Sequence, residues 1–207
     1  MRGGGGEGRM GRNGCAAQGR RQRPRQKAKE GTGGMIEFVR DREIYEKVVR
    51  GAVGGAAERV WIGTADLKDL HVERADRTME PFTGLLSRLV RRGVEVRLVH
   101  AKEPGENWRK DFDRYPALRE GLERMLCPRV HFKCVLVDGR WAYIGSANLT
   151  GAGMGAKSVR NRNFESGVWT DEASLVGAQE EQFDAVWRGE FCGACGRKAF
   201  CGDCPVE

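Results

Sequence analysis

The chain has 207 residues, enough for one domain of ordinary size with appendages, and its 40% apolar content can fill a core. The 36 Lys and Arg against 29 Asp and Glu leave a net charge of +7. No run approaches the roughly 20 apolar residues of a membrane helix, which excludes a helical spanning protein.

Residues 1–34 hold nine Lys or Arg against Glu7 and Glu30, so the excess charge lies there and the rest of the chain is balanced. Eleven of those 34 residues are Gly and few could anchor a core, so a disordered basic tail is expected. It would serve either as an arm that neutralises phosphates or as an unstructured leader ahead of Met35, and the second is slightly favoured. It has no apolar segment of the kind that opens a secretory signal, so a cytoplasmic location is expected.

After Asp41, the residues Ile44, Val48, Val49, Ala52, Val53 and Ala56 share one face of a helix. Arg59–Gly63 reads as a buried strand. A second helix from about Met79 carries Phe82, Leu85, Leu86, Leu89 and Val90 and ends at Gly93. Val94–Val99 alternates as a strand, and a third helix over Asn107–Met125 breaks near Pro116. Two strands around Asp138-Gly139, a glycine-rich loop, a strand at Phe164–Thr170 and a helix from Asp171 to Trp187 complete the body. This alternation predicts an α/β fold, a mixed sheet sandwiched by helices over residues 35–190, with a small four-cysteine knuckle in residues 191–207.

Residues 131–151, HFKCVLVDGRWAYIGSANLTG, carry the chemistry. Alternation puts His131 and Lys133 on one face of a strand. A turn of two or four residues would bring Ser146 and Asn148 onto that same face; a turn of three would not. An imidazole can act as nucleophile or proton carrier near neutral pH, while an ammonium and a carboxamide NH₂ suit the oxygens of a phosphoryl group. No acidic cluster for magnesium and no second His for zinc stands nearby. The residues therefore point to metal-independent attack on a phosphodiester, with no cofactor for catalysis.

The spacing His131-x-Lys133-x4-Asp138-x6-Gly145-Ser146-x-Asn148 resembles, without departure, the HKD motif of the phospholipase D superfamily. The resemblance implies that His131 attacks phosphorus to form a phosphohistidine. Lys133 and Asn148 would clamp the phosphate oxygens with help from Ser146. Glu165 looks like the acid that family members carry on a following strand, and would orient the imidazole. Asp138, the acid of the motif, is expected to fix the turn. Only one such motif is present, since neither His71 nor His100 is followed by the pattern. Family members with two motifs join two histidines in one site, so this chain is expected to form a symmetric homodimer.

Residues 150–163 contain Lys157, Arg160 and Arg162 and no acid, a flexible basic loop suited to a polyanion. The tail array Cys192-x2-Cys195-x5-Cys201-x2-Cys204 predicts a structural zinc site, with iron–sulfur ligation and redox dithiols as competitors. Cys15, Cys127 and Cys134 look unremarkable. The leading expectation is a phosphodiesterase acting as a nuclease, with nucleic acid as its substrate. The alternatives are a phospholipase D-type hydrolase of phosphatidylcholine or cardiolipin, and a non-catalytic nucleic-acid-binding module.

Overall fold

A computed structural model describes residues 33–205. The basic tail as far as residue 32, Cys15 included, lies outside the described residues. Seven strands form one sheet in the order β1-β9-β8-β7-β2-β5-β6. They are β1 Ile36–Arg40, β2 Arg59–Thr64, β5 Glu95–His100, β6 Leu122–Leu126, β7 Lys133–Val137, β8 Trp141–Gly145 and β9 Ser166–Thr170. A separate hairpin joins β3 His71–Glu73 to β4 Met79–Pro81. β2, β5 and β6 run parallel, and every other pairing of the large sheet is antiparallel.

Alternate residues of the sheet feed two cores. Val60, Ile62, Val96, Leu98, Val135 and Val137 pack with the helix that follows Asp41 and with α2 Phe82–Arg91. On the opposite face Trp61, Val99, Leu136 and Ala142 pack with Val176 and Phe183 of α5 Ala173–Trp187. The mixed sheet between helices is thus the fold that the alternation predicts. Arg97 is almost buried beneath α5, 2.6 Å from Glu123 and 3.2 Å from Glu95, with its guanidinium over the rings of Trp61 and Trp187.

Local chemistry explains where the elements differ from expectation. The helix after Asp41 begins as α1 Arg42–Ile44 and continues as a π-helix over Tyr45–Val53. The fourfold steps through the buried Tyr45, Val49 and Val53 suit that wider turn. Ile36–Arg40 is an edge strand on β9, and the short β3–β4 hairpin precedes α2; neither announces itself in the sequence. The expected third helix is two, α3 Glu106–Asp113 and α4 Pro116–Gly121, because Pro116 suits the first turn of a new helix rather than the middle of an old one. Its last predicted residues form β6 instead, where pairing with β5 outweighs helical preference. No helix among the described residues is long and apolar enough to cross a membrane.

Candidate active site

The turn between β7 and β8 contains three residues, because Val137 pairs with Trp141 and Lys133 with Gly145. Asp138 and Gly139 both take left-handed backbone conformations (φ 55° and 65°), and Arg140 donates to the Val137 carbonyl at 3.0 Å. This odd turn removes the simple alternation that would have put Ser146 and Asn148 opposite His131 and Lys133. Asn148 is tied instead to strand β2, the neighbour of β7.

His131 is exposed just before β7, and the ammonium of Lys133 stands 3.3 and 3.4 Å from its two ring nitrogens. The same ammonium donates to the His131 carbonyl at 2.8 Å. An ammonium has no lone pair, so toward the ring it can act only as a donor. Strand β2 supplies the link to Asn148. The last pair of β2 and β7 is Gly63 with Cys134, and one step beyond stand Thr64 and Lys133. The Thr64 hydroxyl accepts the Leu149 N–H at 3.0 Å and lies 3.4 Å from Asn148 Oδ1, which also accepts the Ala65 N–H at 3.2 Å. The carboxamide oxygen is thereby engaged, and what Asn148 can offer a substrate is its donor end. Thr64 was not foreseen as a site residue, since a threonine ending a buried strand carries no motif.

Ser146, beyond the end of β8, hydrogen-bonds through Oγ to Glu165 Oε2 and accepts the Ser166 N–H at 3.1 Å. The other carboxylate oxygen of Glu165 accepts from Asn163 Nδ2 at 3.0 Å. Glu165 therefore braces Ser146 and Asn163, where an orienting bond to His131 had been expected. Its backbone is held in turn by Asp41, whose N–H donates to the Glu165 carbonyl at 2.9 Å and whose Oδ1 accepts the Glu165 N–H at 3.1 Å. The buried Tyr143 hydroxyl accepts the Ala147 N–H at 3.3 Å. Burial, opposed by that N–H and reinforced by the Glu165 charge, pushes the phenol up to about 12.

A cavity of about 200 Å³ opens beside Asn148, lined also by Asp66, Lys68, Lys157 and Asn163. Of the expected substrate-binding residues, Lys157 thus meets Asn148 at a common concavity, whereas Arg160 is exposed and Arg162 half-exposed further along the loop. The loop is only partly free. Met154 is buried, Gly155 (φ 76°) lies so close to Asp41 that a Cβ would collide with its carbonyl, and Arg42 donates to the Ala156 carbonyl at 3.2 Å. Val159 and Phe164 are 74% and 95% exposed, apolar tips among basic residues.

Asp138 lies at the far end of β7 from His131. Its carboxylate accepts the N–H groups of Ala57, Glu58 and Arg59 at 2.8–3.2 Å. Burial raises its pKa, but the three N–H donors and the Arg59 charge prevail and hold it below the ordinary aspartate value. The motif's acid is a structural clamp between the turn and the start of β2. His100 is fully buried, its Nδ1 2.7 Å from the Lys102 carbonyl, and burial lowers its pKa against that carbonyl's opposing pull.

Among the tail cysteines, burial together with Cys204, Cys127 and Cys201 pushes the Cys192 thiol up to about 11. The surroundings of the Cys195 thiol differ, although its N–H donates to the Cys192 carbonyl at 3.1 Å. The Arg197 N–H, with Arg129 and Arg197 as charges, lowers its pKa despite slight desolvation. Cys127, which looked unremarkable in sequence, stands near enough to the Cys192 and Cys201 thiols to push their pKa upward. Cys134 is packed in the core, and burial, opposed by the Gly63 backbone, raises it to about 12.

Among curated proteins, none matches the chain. A family profile described as cardiolipin synthase, PLD-like domain, matches residues 50–187, more than half of the sequence. The chain belongs to the phospholipase D superfamily. Its phospholipase D-like domain is similar in fold to a phospholipase D family member, Nuc from Salmonella typhimurium. That match has a TM-score of 0.55 at 18% identity, over 75% of this chain and 95% of that one. NucT from Helicobacter pylori gives 0.54 at 14% identity, over 73% of this chain and 94% of that one. The phosphatidylserine synthase of Haemophilus influenzae Rd KW20 gives 0.50 at 13% identity, over 78% of this chain but 40% of the synthase. At such identities the likeness speaks for the fold of the phospholipase D-like domain.

Proposed function

We propose that the protein is a metal-independent phosphodiesterase in which His131 attacks phosphorus and forms a phosphohistidine. The observation that carries this reading is the exposed His131 with Lys133 against its ring nitrogens. The phosphorus–oxygen bond to the leaving group breaks as the nitrogen–phosphorus bond forms. Water then cleaves the latter and returns the imidazole. Lys133 and the Asn148 amide bind the non-bridging oxygens, whose charge grows in the transition state. Ser146 is a positioning group, held by Glu165. A second imidazole is needed to protonate the leaving oxygen and to activate water, and the homodimer supplies it as the partner's copy of His131.

The preferred substrate is nucleic acid. Lys157 lines the cavity beside Asn148, with Lys68 paired to Asp66 at 2.9 Å, and Phe164 stands exposed two residues after Arg162, cations and an aromatic face that suit a stacked base on a phosphate chain. The chain also spans nearly the whole length of Nuc and NucT. The second reading, hydrolysis or transfer at a phospholipid, is favoured by the description of the matching family profile and by the same apolar tips, which could enter a lipid surface. A panel of single- and double-stranded DNA, RNA and phospholipid vesicles, all in EDTA with a His131→Ala control, separates the readings. Cleavage of a nucleic acid by the wild type alone is expected. Turnover of vesicles only would select the lipid reading, and full activity of the His131→Ala variant would end both.

A further inference from the structure

The turn over residues 127–130 connects β6, an outer strand of the sheet, to His131. The segment that follows α5 is strapped across this turn at three points. Asp203 Oδ2 accepts the Leu126 N–H at 2.8 Å, the Cys201 thiol lies 3.5 Å from the Leu126 carbonyl, and Arg129 reaches the Phe191 carbonyl at 3.4 Å. Cys127 lies between the two residues so anchored. Cys192 follows Phe191 directly, Cys204 follows Asp203, and Cys201 is itself on Leu126. The contacts of the tail thus fall on either side of residue 127, at Leu126 and Arg129, and none of these thiols is in a disulfide.

We propose that Cys127, Cys192, Cys201 and Cys204 bind one zinc ion, and that Cys195 stays outside the ligand set. Four thiolates in a tetrahedral arrangement suit zinc, and each thiol gives up a proton as its sulfur–zinc bond forms. The resulting centre carries two negative charges, and Arg129 is the cation already anchored beside it. Among the described residues no three such side chains already stand at ligating spacing. The metal completes a gathering that the backbone contacts begin. Its consequence is mechanical, because the turn that presents His131 becomes fixed to the C-terminal segment, which already holds the last residue of β6.

The test measures metal in the full chain grown with zinc. About one zinc per chain is expected in the wild type and in Cys195→Ser, falling below about a tenth in Cys127→Ser. Alkylation of the wild type, mapped by mass spectrometry, gives a reading that does not depend on how the variants fold. Cys195 should react freely while the four ligands are protected, and a chelator should expose all four together. Metal retained by Cys127→Ser and lost by Cys195→Ser would overturn the assignment in favour of the contiguous tail array. So would a wild type without zinc, or one holding iron with visible absorption.

Discussion

The two ends of the β7–β8 hairpin carry parts of one motif and are built on opposite physical terms. At the turn end, Asp138 accepts three backbone N–H groups and fastens the hairpin to the start of β2. The donors that hold it come from the protein's own backbone. At the open end, His131 and Lys133 are exposed or half-exposed and face each other, and the donors they and Asn148 carry are of the kind a phosphoryl group takes. One end secures the strand pairing, and the other leaves its side chains accessible. Substitutions at the two ends should therefore fail in different ways.

The largest effect is expected from His131→Ala, which should lower turnover at least about a thousandfold while leaving the thermal unfolding midpoint in place. Comparable loss of both would move His131 to the structural side of the comparison. Asn148→Ala should cost about a hundred- to a thousandfold in kcat, as removal of a transition-state donor does; a change confined to KM would assign it to ground-state binding. Asp138→Ala should behave in reverse. Chemical denaturation should show about 1–3 kcal/mol of lost stability, from N–H groups left unpaired, with kcat per folded molecule unchanged.

The acid limb of stability sharpens this contrast. The Asp138 carboxylate is stronger in the folded chain than its ordinary value of 3.8, so its contribution is complete above that pH and disappears as pH falls through the lower folded value. A stability–pH profile of Asp138→Ala should be flatter than the wild type over that range, and an identical slope would contradict the clamp. The smallest effect is expected at Lys157→Ala, which should weaken nucleic-acid binding a few-fold and reduce its salt dependence by about one unit of slope.

Much of this was legible in the sequence for identifiable reasons. The strands Arg59–Thr64, Lys133–Val137 and Trp141–Gly145 and the helix Ala173–Trp187 follow from apolar periodicity and turn chemistry. Strand periodicity accounts for Lys133, which opens β7, while His131 stands just before the strand. β1 was hidden because Ile36 and Phe38 lie on an edge and remain 60% and 66% exposed, so they show no buried alternation. β6 was hidden because its residues read equally well as the end of a helix, and only pairing with β5 decides between them. At the site, the length of the turn could not be read from Asp138-Gly139 alone. The route by which Asn148 arrives depends on Thr64, a residue 84 positions away in sequence. Contacts of that range leave no local pattern, and neither does the approach of Cys127 to the tail.

The central claim is that His131 becomes covalently bound to phosphorus during turnover. A generic aryl phosphodiester such as bis(p-nitrophenyl) phosphate, mixed with enzyme in EDTA and quenched rapidly, allows peptide mass spectrometry to look for the phosphoryl adduct. The account predicts an adduct on His131 in the wild type and none in His131→Ala. Release of p-nitrophenol by a wild type that never carries phosphorus on His131, or an adduct mapped to another side chain, would contradict it.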